Sequence, residues 1–182
     1  IFKKYLSWGE TYLFSFLGFA THGLLDACTS YGTQLLWPFT DERISWNYIS
    51  VVDPFLTIPV ILAIIFVIIM KNKYITLFGI VYILAYLTFG AYQENRAQFV
   101  GKSIANLRGH DIKDLTAKPS LGNLFLWKTI YEDDGFYYVD AARLFTKSEY
   151  CQGTKIKKLD LNNDFSELDV NSQQYKDIKR FD

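Results

Sequence analysis

The chain has 182 residues, half of them hydrophobic and 18% aromatic, and its 19 basic and 19 acidic residues cancel. That balance argues against the basic footprint a nucleic-acid partner requires. Cys28 and Cys151 are the two cysteines. They form no metal-ligand spacing, and two separate thiols are favoured over a disulfide.

Taken in chain order, residues 1–10 mix Lys3, Lys4, Trp8 and Glu10, the composition of a membrane–water interface. A first helix is expected over residues 11–31, stopping at Gly32. A connector centred on Trp37-Pro38-Phe39-Thr40-Asp41-Glu42-Arg43 follows. A second helix is expected from about Ile49 to the Lys71-Asn72-Lys73 turn, with Pro54 and Pro59 in its first turns or as a kink. A third covers residues 74–95 and continues as a polar helix to about Leu107. Seventeen uncharged residues separate Asp53 from Lys71, and twenty separate Lys73 from Glu94. Runs of that length suit a hydrocarbon core of about 30 Å. Residues 61–70 have no polar face, which argues against helices of a soluble bundle.

The pattern changes beyond residue 107. Aromatic and β-branched runs flank Glu132-Asp133-Asp134-Gly135, and Asp-Gly is a strong hairpin turn. Strands are expected at residues 124–132 and 136–145. Residues 154–182 are charged and low in aromatics, the composition of a short surface helix or a partly disordered tail. The expected fold is therefore a mainly α membrane protein. About three transmembrane helices (residues 1–107) carry a small β-hairpin module (108–150) and a charged tail (151–182). Lys3, Lys4, Lys71 and Lys73 bias the helix two–three turn towards the cytoplasm, and so the connector and C-terminal module towards the external side. Lys102 and Arg108 oppose that bias.

His22 and Asp26 are four residues apart at the end of the first apolar run. One helical turn brings both to one face. Imidazole nitrogen and carboxylate oxygen are a common ligand pair for zinc, manganese or iron. Ionisable groups at membrane depth point to function. Asp53, before Pro54, falls on the same side of the membrane; its alternative role is an N-cap. Thr29 and Thr33 would extend the His22–Asp26 face as supporting hydrogen-bond groups.

These residues resemble a known family. Thr21-His22-Gly23-Leu24-Leu25-Asp26, then Thr29-Ser30-Tyr31-Gly32-Thr33-Gln34-Leu35-Leu36-Trp37-Pro38-Phe39 and Asp53-Pro54, are similar to YdjM-type metal-dependent hydrolases of bacterial inner membranes. Pro119, Asn123, Trp127 and Gly135-Phe136-Tyr137-Tyr138 extend the resemblance over residues 10–145. Such proteins also carry an upstream His-Arg and Thr-His motif, which this sequence does not show, so either further ligands lie in a segment before Ile1 or part of the site is lost. The resemblance implies an integral inner-membrane protein in which His22, Asp26 and Asp53 hold a divalent metal, zinc or manganese. It also implies hydrolysis of an ester or phosphoester. A site at the bilayer boundary suits a membrane lipid or lipid-like substrate. Arg43, or Arg96, would clamp a phosphate, and Glu10 would be a further ligand or base. The competing reading is a non-catalytic membrane protein. There the polar cluster is structural, and the C-terminal module docks a protein partner.

Overall fold

The computed structural model describes residues 6–112, 114–160, 164–165 and 167–181. Lys3 and Lys4, half of the expected topology signal, lie outside the described residues. Three helices come first: α1 (Trp8–Ala27), α2 (Pro54–Met70) and α3 (Lys73–Arg108). Four strands and a last helix follow: β1 (Leu115–Pro119), β2 (Leu126–Asp133), β3 (Phe136–Leu144), β4 (Ser148–Lys157) and α4 (Gln173–Phe181).

Helix α1 opens on a capping box, in which the Ser7 side chain accepts from the Glu10 N–H and Glu10 accepts from the Ser7 N–H. Glu10 is thus a helix-start residue. The helix ends four residues before the expected Tyr31, because the connector takes its last carbonyls. The Trp46 N–H donates to Ala27 O (2.8 Å) and the Tyr48 N–H to Cys28 O (2.8 Å). Helix α2 starts at Pro54, behind the Asp53 cap, rather than at Ile49. Pro54 fits the first turn, where its missing N–H costs nothing, whereas Pro59 lies inside the helix. Lys71, in left-handed backbone, and Asn72, as N-cap, make the tight turn into α3.

Of the three expected spans, α3 alone among the described residues is long and apolar enough to cross a membrane, and almost none of its apolar stretch is buried in the protein. Helix α2 is apolar but has 17 residues, about 26 Å at 1.5 Å per residue. Helix α1 has the length but is diluted by Glu10, His22, Asp26 and several small polar residues. All three helices present large apolar side chains outward, such as Phe14, Ile68 and Phe78.

The strands form an antiparallel meander in the order β1-β2-β3-β4. The expected hairpin is β2–β3, turning at Asp134 and Gly135, both in left-handed backbone. Strands β1 and β4 were not expected, and β4 extends the sheet past residue 150 into the supposed tail. Helix α3 is much longer than its apolar part, and its second half covers one face of the sheet. Gly101 permits that approach: a Cβ there would sit 2.7 Å from Leu115 Cδ1 and 3.1 Å from Thr129. Gly90 likewise lets the connector in, since a Cβ would meet Tyr48 O at 2.3 Å. Gln93 donates to Leu124 O (2.9 Å) and Leu144 O (3.0 Å), tying the sheet to the helix just where the apolar run ends. One buried cluster, including Cys28, Ile49, Leu56, Ala97, Trp127 and Leu144, runs from the connector to the sheet.

Candidate functional site

The His22–Asp26 pair forms as its spacing requires. His22 Nε2 lies 3.4 Å from Asp26 Oδ2, with the side chains 71% and 48% exposed. His22 opens onto a groove of about 630 Å³ between α1 and α3, lined among others by Gly18, Leu24, Leu25, Ile83, Leu84 and Leu87. His22 thus stands on the wall of a mainly apolar cleft, with Asp26 one helical turn further along α1.

Asp53 is placed differently. It is 3% exposed and caps α2: Oδ1 accepts from the N–H groups of Phe55 (3.1 Å) and Leu56 (3.3 Å). The Tyr86 hydroxyl reaches both carboxylate oxygens, at 2.9 and 2.8 Å. Its hydrogen bonds run to α2 and α3, and none runs to His22 or Asp26. Among the described residues, no group of three or more His, Cys, Asp or Glu side chains is placed to hold a metal ion. His22 and Asp26 have the donor chemistry for two positions on a divalent ion. Asp53 has most of its acceptor capacity committed.

The supporting residues also move. Thr29 lies beyond the end of α1, its hydroxyl turned back to Asp26 O at 2.7 Å, so it no longer extends the His22–Asp26 face. Thr33 pairs with Ile44 through two backbone bonds of 2.9 Å. Arg43 is exposed and donates to Gly32 O at 3.2 Å, inside the connector. Arg96 is bound to Gln93 (2.7 Å) and Phe145 O (2.8 Å), which makes it a tie between helix and sheet.

Two polar sites escaped the sequence. Asp140 takes both guanidinium nitrogens of Arg108, at 2.7 and 2.8 Å, and the Gly153 N–H at 2.9 Å. Burial alone would raise the Asp140 carboxyl, but Arg108 and the Gly153 N–H outweigh it and hold the group below its ordinary range. Tyr131 and His110 complete the network, with His110 Nδ1 3.0 Å from the Tyr131 hydroxyl. The adjoining cleft, of about 500 Å³, includes Tyr138, Thr154 and Lys155. The second site surrounds Glu94, which is 7% exposed and accepts from Gln98, in a pocket of about 300 Å³ shared with Ser45, Asn47 and Tyr48. Glu94-x3-Gln98 is a helical spacing, but nothing local shows that the connector folds over it.

Helix α3 therefore joins an apolar stretch that is long enough to cross a bilayer and scarcely buried to a second half covered by the sheet, the make-up expected of a membrane-spanning segment. The family model for the YdjM inner membrane protein matches residues 1–97, and the chain belongs to that family. The match takes in α1, α2 and the apolar half of α3 and ends before the sheet. Neither the curated proteins nor the solved structures give a match.

Proposed function

We propose that this protein is a membrane-bound, metal-dependent hydrolase whose His22–Asp26 pair supplies two of the ligands. Its substrate would be an ester or phosphoester carrying an apolar chain. The observation that carries the reading is the placement of His22 on the wall of the apolar α1–α3 groove. There Leu24, Leu84 and Leu87 would hold the chain, while His22, with Asp26 beside it, would hold the ion near the bond to be cut. A divalent ion, zinc or manganese, would lower the pKa of bound water towards 7 and supply hydroxide at neutral pH. The remaining ligands would be water or groups outside the described residues. The rim of a bilayer suits such a substrate, because a lipid presents its head group at that depth.

The test is metal content of the purified protein together with ester and phosphoester hydrolysis. His22→Ala and Asp26→Ala should each lower bound zinc or manganese and abolish turnover. Unchanged metal content in both variants would sink the reading. The second reading, a structural polar cluster without catalysis, is favoured by one observation only: the capping and Tyr86 bonds of Asp53.

A further inference from the structure

The sheet has two unlike ends. At one end, the Asp133-Asp134-Gly135 turn carries carboxylates far from the apolar part of α3. At the other lie the β1–β2 loop (residues 120–125) and the β3–β4 loop (residues 145–147). That second end is fixed at the level where the apolar helices start and stop. Gln93, the last residue of α3's uncharged run, holds Leu124 and Leu144. The Gly122 N–H donates to Ser50 Oγ at 3.0 Å, and Gly122 rests against Pro54, the first residue of α2.

This rim is apolar at its tip and basic on its flank. Leu121 is 76% exposed and Phe145 52%. Phe125 and Phe145 stack at 4.8 Å, and Phe89 on α3 meets Phe125 at 6.0 Å. An aromatic ladder therefore runs unbroken from the apolar helix to the edge of the sheet. On the sheet face that α3 leaves uncovered, Lys118 stands directly opposite Lys128, and Arg143 is paired with Leu126 in the next register step. Like charges directly opposite destabilise a sheet, and neither lysine has an ion pair among the described residues. Lys147 adds a fourth cation, and Arg143 is bound to Glu149 at 2.8 Å.

We propose that this rim is a second membrane contact: Leu121, Phe125 and Phe145 enter the interface, and Lys118, Lys128, Arg143 and Lys147 hold anionic phospholipid head groups. Aromatic rings favour that depth, and clustered cations near a bilayer bind anionic lipid in a salt-dependent way. The proposal is independent of the metal site. It makes the sheet a module lying on the leaflet rather than one held out in water.

The full chain with Cys151→Ser, in lipid nanodiscs, tests this. A fluorophore is placed at Leu121→Cys, Phe145→Cys or, as a control, Asp134→Cys. In discs containing phosphatidylglycerol, the probes at positions 121 and 145 should be quenched from the lipid and shielded from aqueous iodide. The probe at 134 should behave oppositely. Lys118→Gln and Lys128→Gln should weaken contact roughly fivefold for each cation removed, and salt should mimic them. Iodide access at 121 and 145 equal to that at 134 would overturn the proposal. So would equal contact in purely phosphatidylcholine discs, or shielding that follows the number of chains per disc, since a second copy would then cover the rim.

Discussion

Asp53 and the His22–Asp26 pair are ionisable groups with opposite surroundings, and substitution separates their roles. Asp53→Ala removes an N-cap, costing about 0.5–2 kcal/mol. It also strands the half-buried Tyr86 hydroxyl, costing roughly 1–3 kcal/mol more. Thermal unfolding in detergent should show a clear drop for Asp53→Ala and a smaller one for Tyr86→Phe. His22→Ala and Asp26→Ala remove a largely exposed pair, so stability should change by no more than about 0.5 kcal/mol. If these two variants unfold as readily as Asp53→Ala, the pair is structural. The His22–Asp26 geometry was legible because four residues on a helix fix it locally. The Asp53–Tyr86 bond spans 33 positions, and no local spacing encodes it. The N-cap alternative, in contrast, was readable from Asp-Pro alone.

Helix α3 does two jobs along 36 residues, and its glycines report on which neighbours it approaches. Gly90→Ala sets a methyl against a backbone carbonyl that cannot move cheaply, so a loss of about 1–3 kcal/mol is expected. Gly101→Ala meets the side chains of Leu115 and Thr129, which can yield in part, and should cost less. Gly79→Ala reaches Ala63 Cβ at an ordinary 3.4 Å and should be close to neutral. Chemical denaturation in a single detergent would rank the three, and a different order would mean that helix and connector pack otherwise. The β2–β3 hairpin was readable from Asp134-Gly135 and the flanking aromatics. Strand β1 was hidden by its shortness and its proline. Strand β4 was hidden because all ten residues are exposed and most are polar, so no alternating apolar face marks it. An edge strand gains its place from pairing with β3 rather than from a buried face.

At the scale of the molecule, the Arg108–Asp140 pair fastens the far end of α3 to the sheet. The Asp140 carboxyl titrates lower in the folded protein than in the unfolded chain. Its contribution is therefore complete above the unfolded value of about 3.9 and is lost as pH falls through the folded value. Sheet unfolding followed by near-ultraviolet circular dichroism should become easier on acidification through that window. Arg108→Gln leaves Asp140 buried without its cation, a loss of roughly 3 kcal/mol, and should flatten that acid dependence. A wild-type acid limb that survives in Arg108→Gln would assign it to other carboxylates.

The sequence by itself determined the apolar runs, the turn at Lys71–Lys73, the hairpin and the His22–Asp26 face. Each depends on neighbours within a turn or two of the chain. The tertiary structure decided where α1 ends, which of the motif's residues stay together and how the sheet meets α3. Those outcomes depend on carbonyls, cavities and charges brought together from distant positions. Asp53 is drawn to Tyr86 rather than to His22 because a buried carboxylate takes the donors that packing brings nearest.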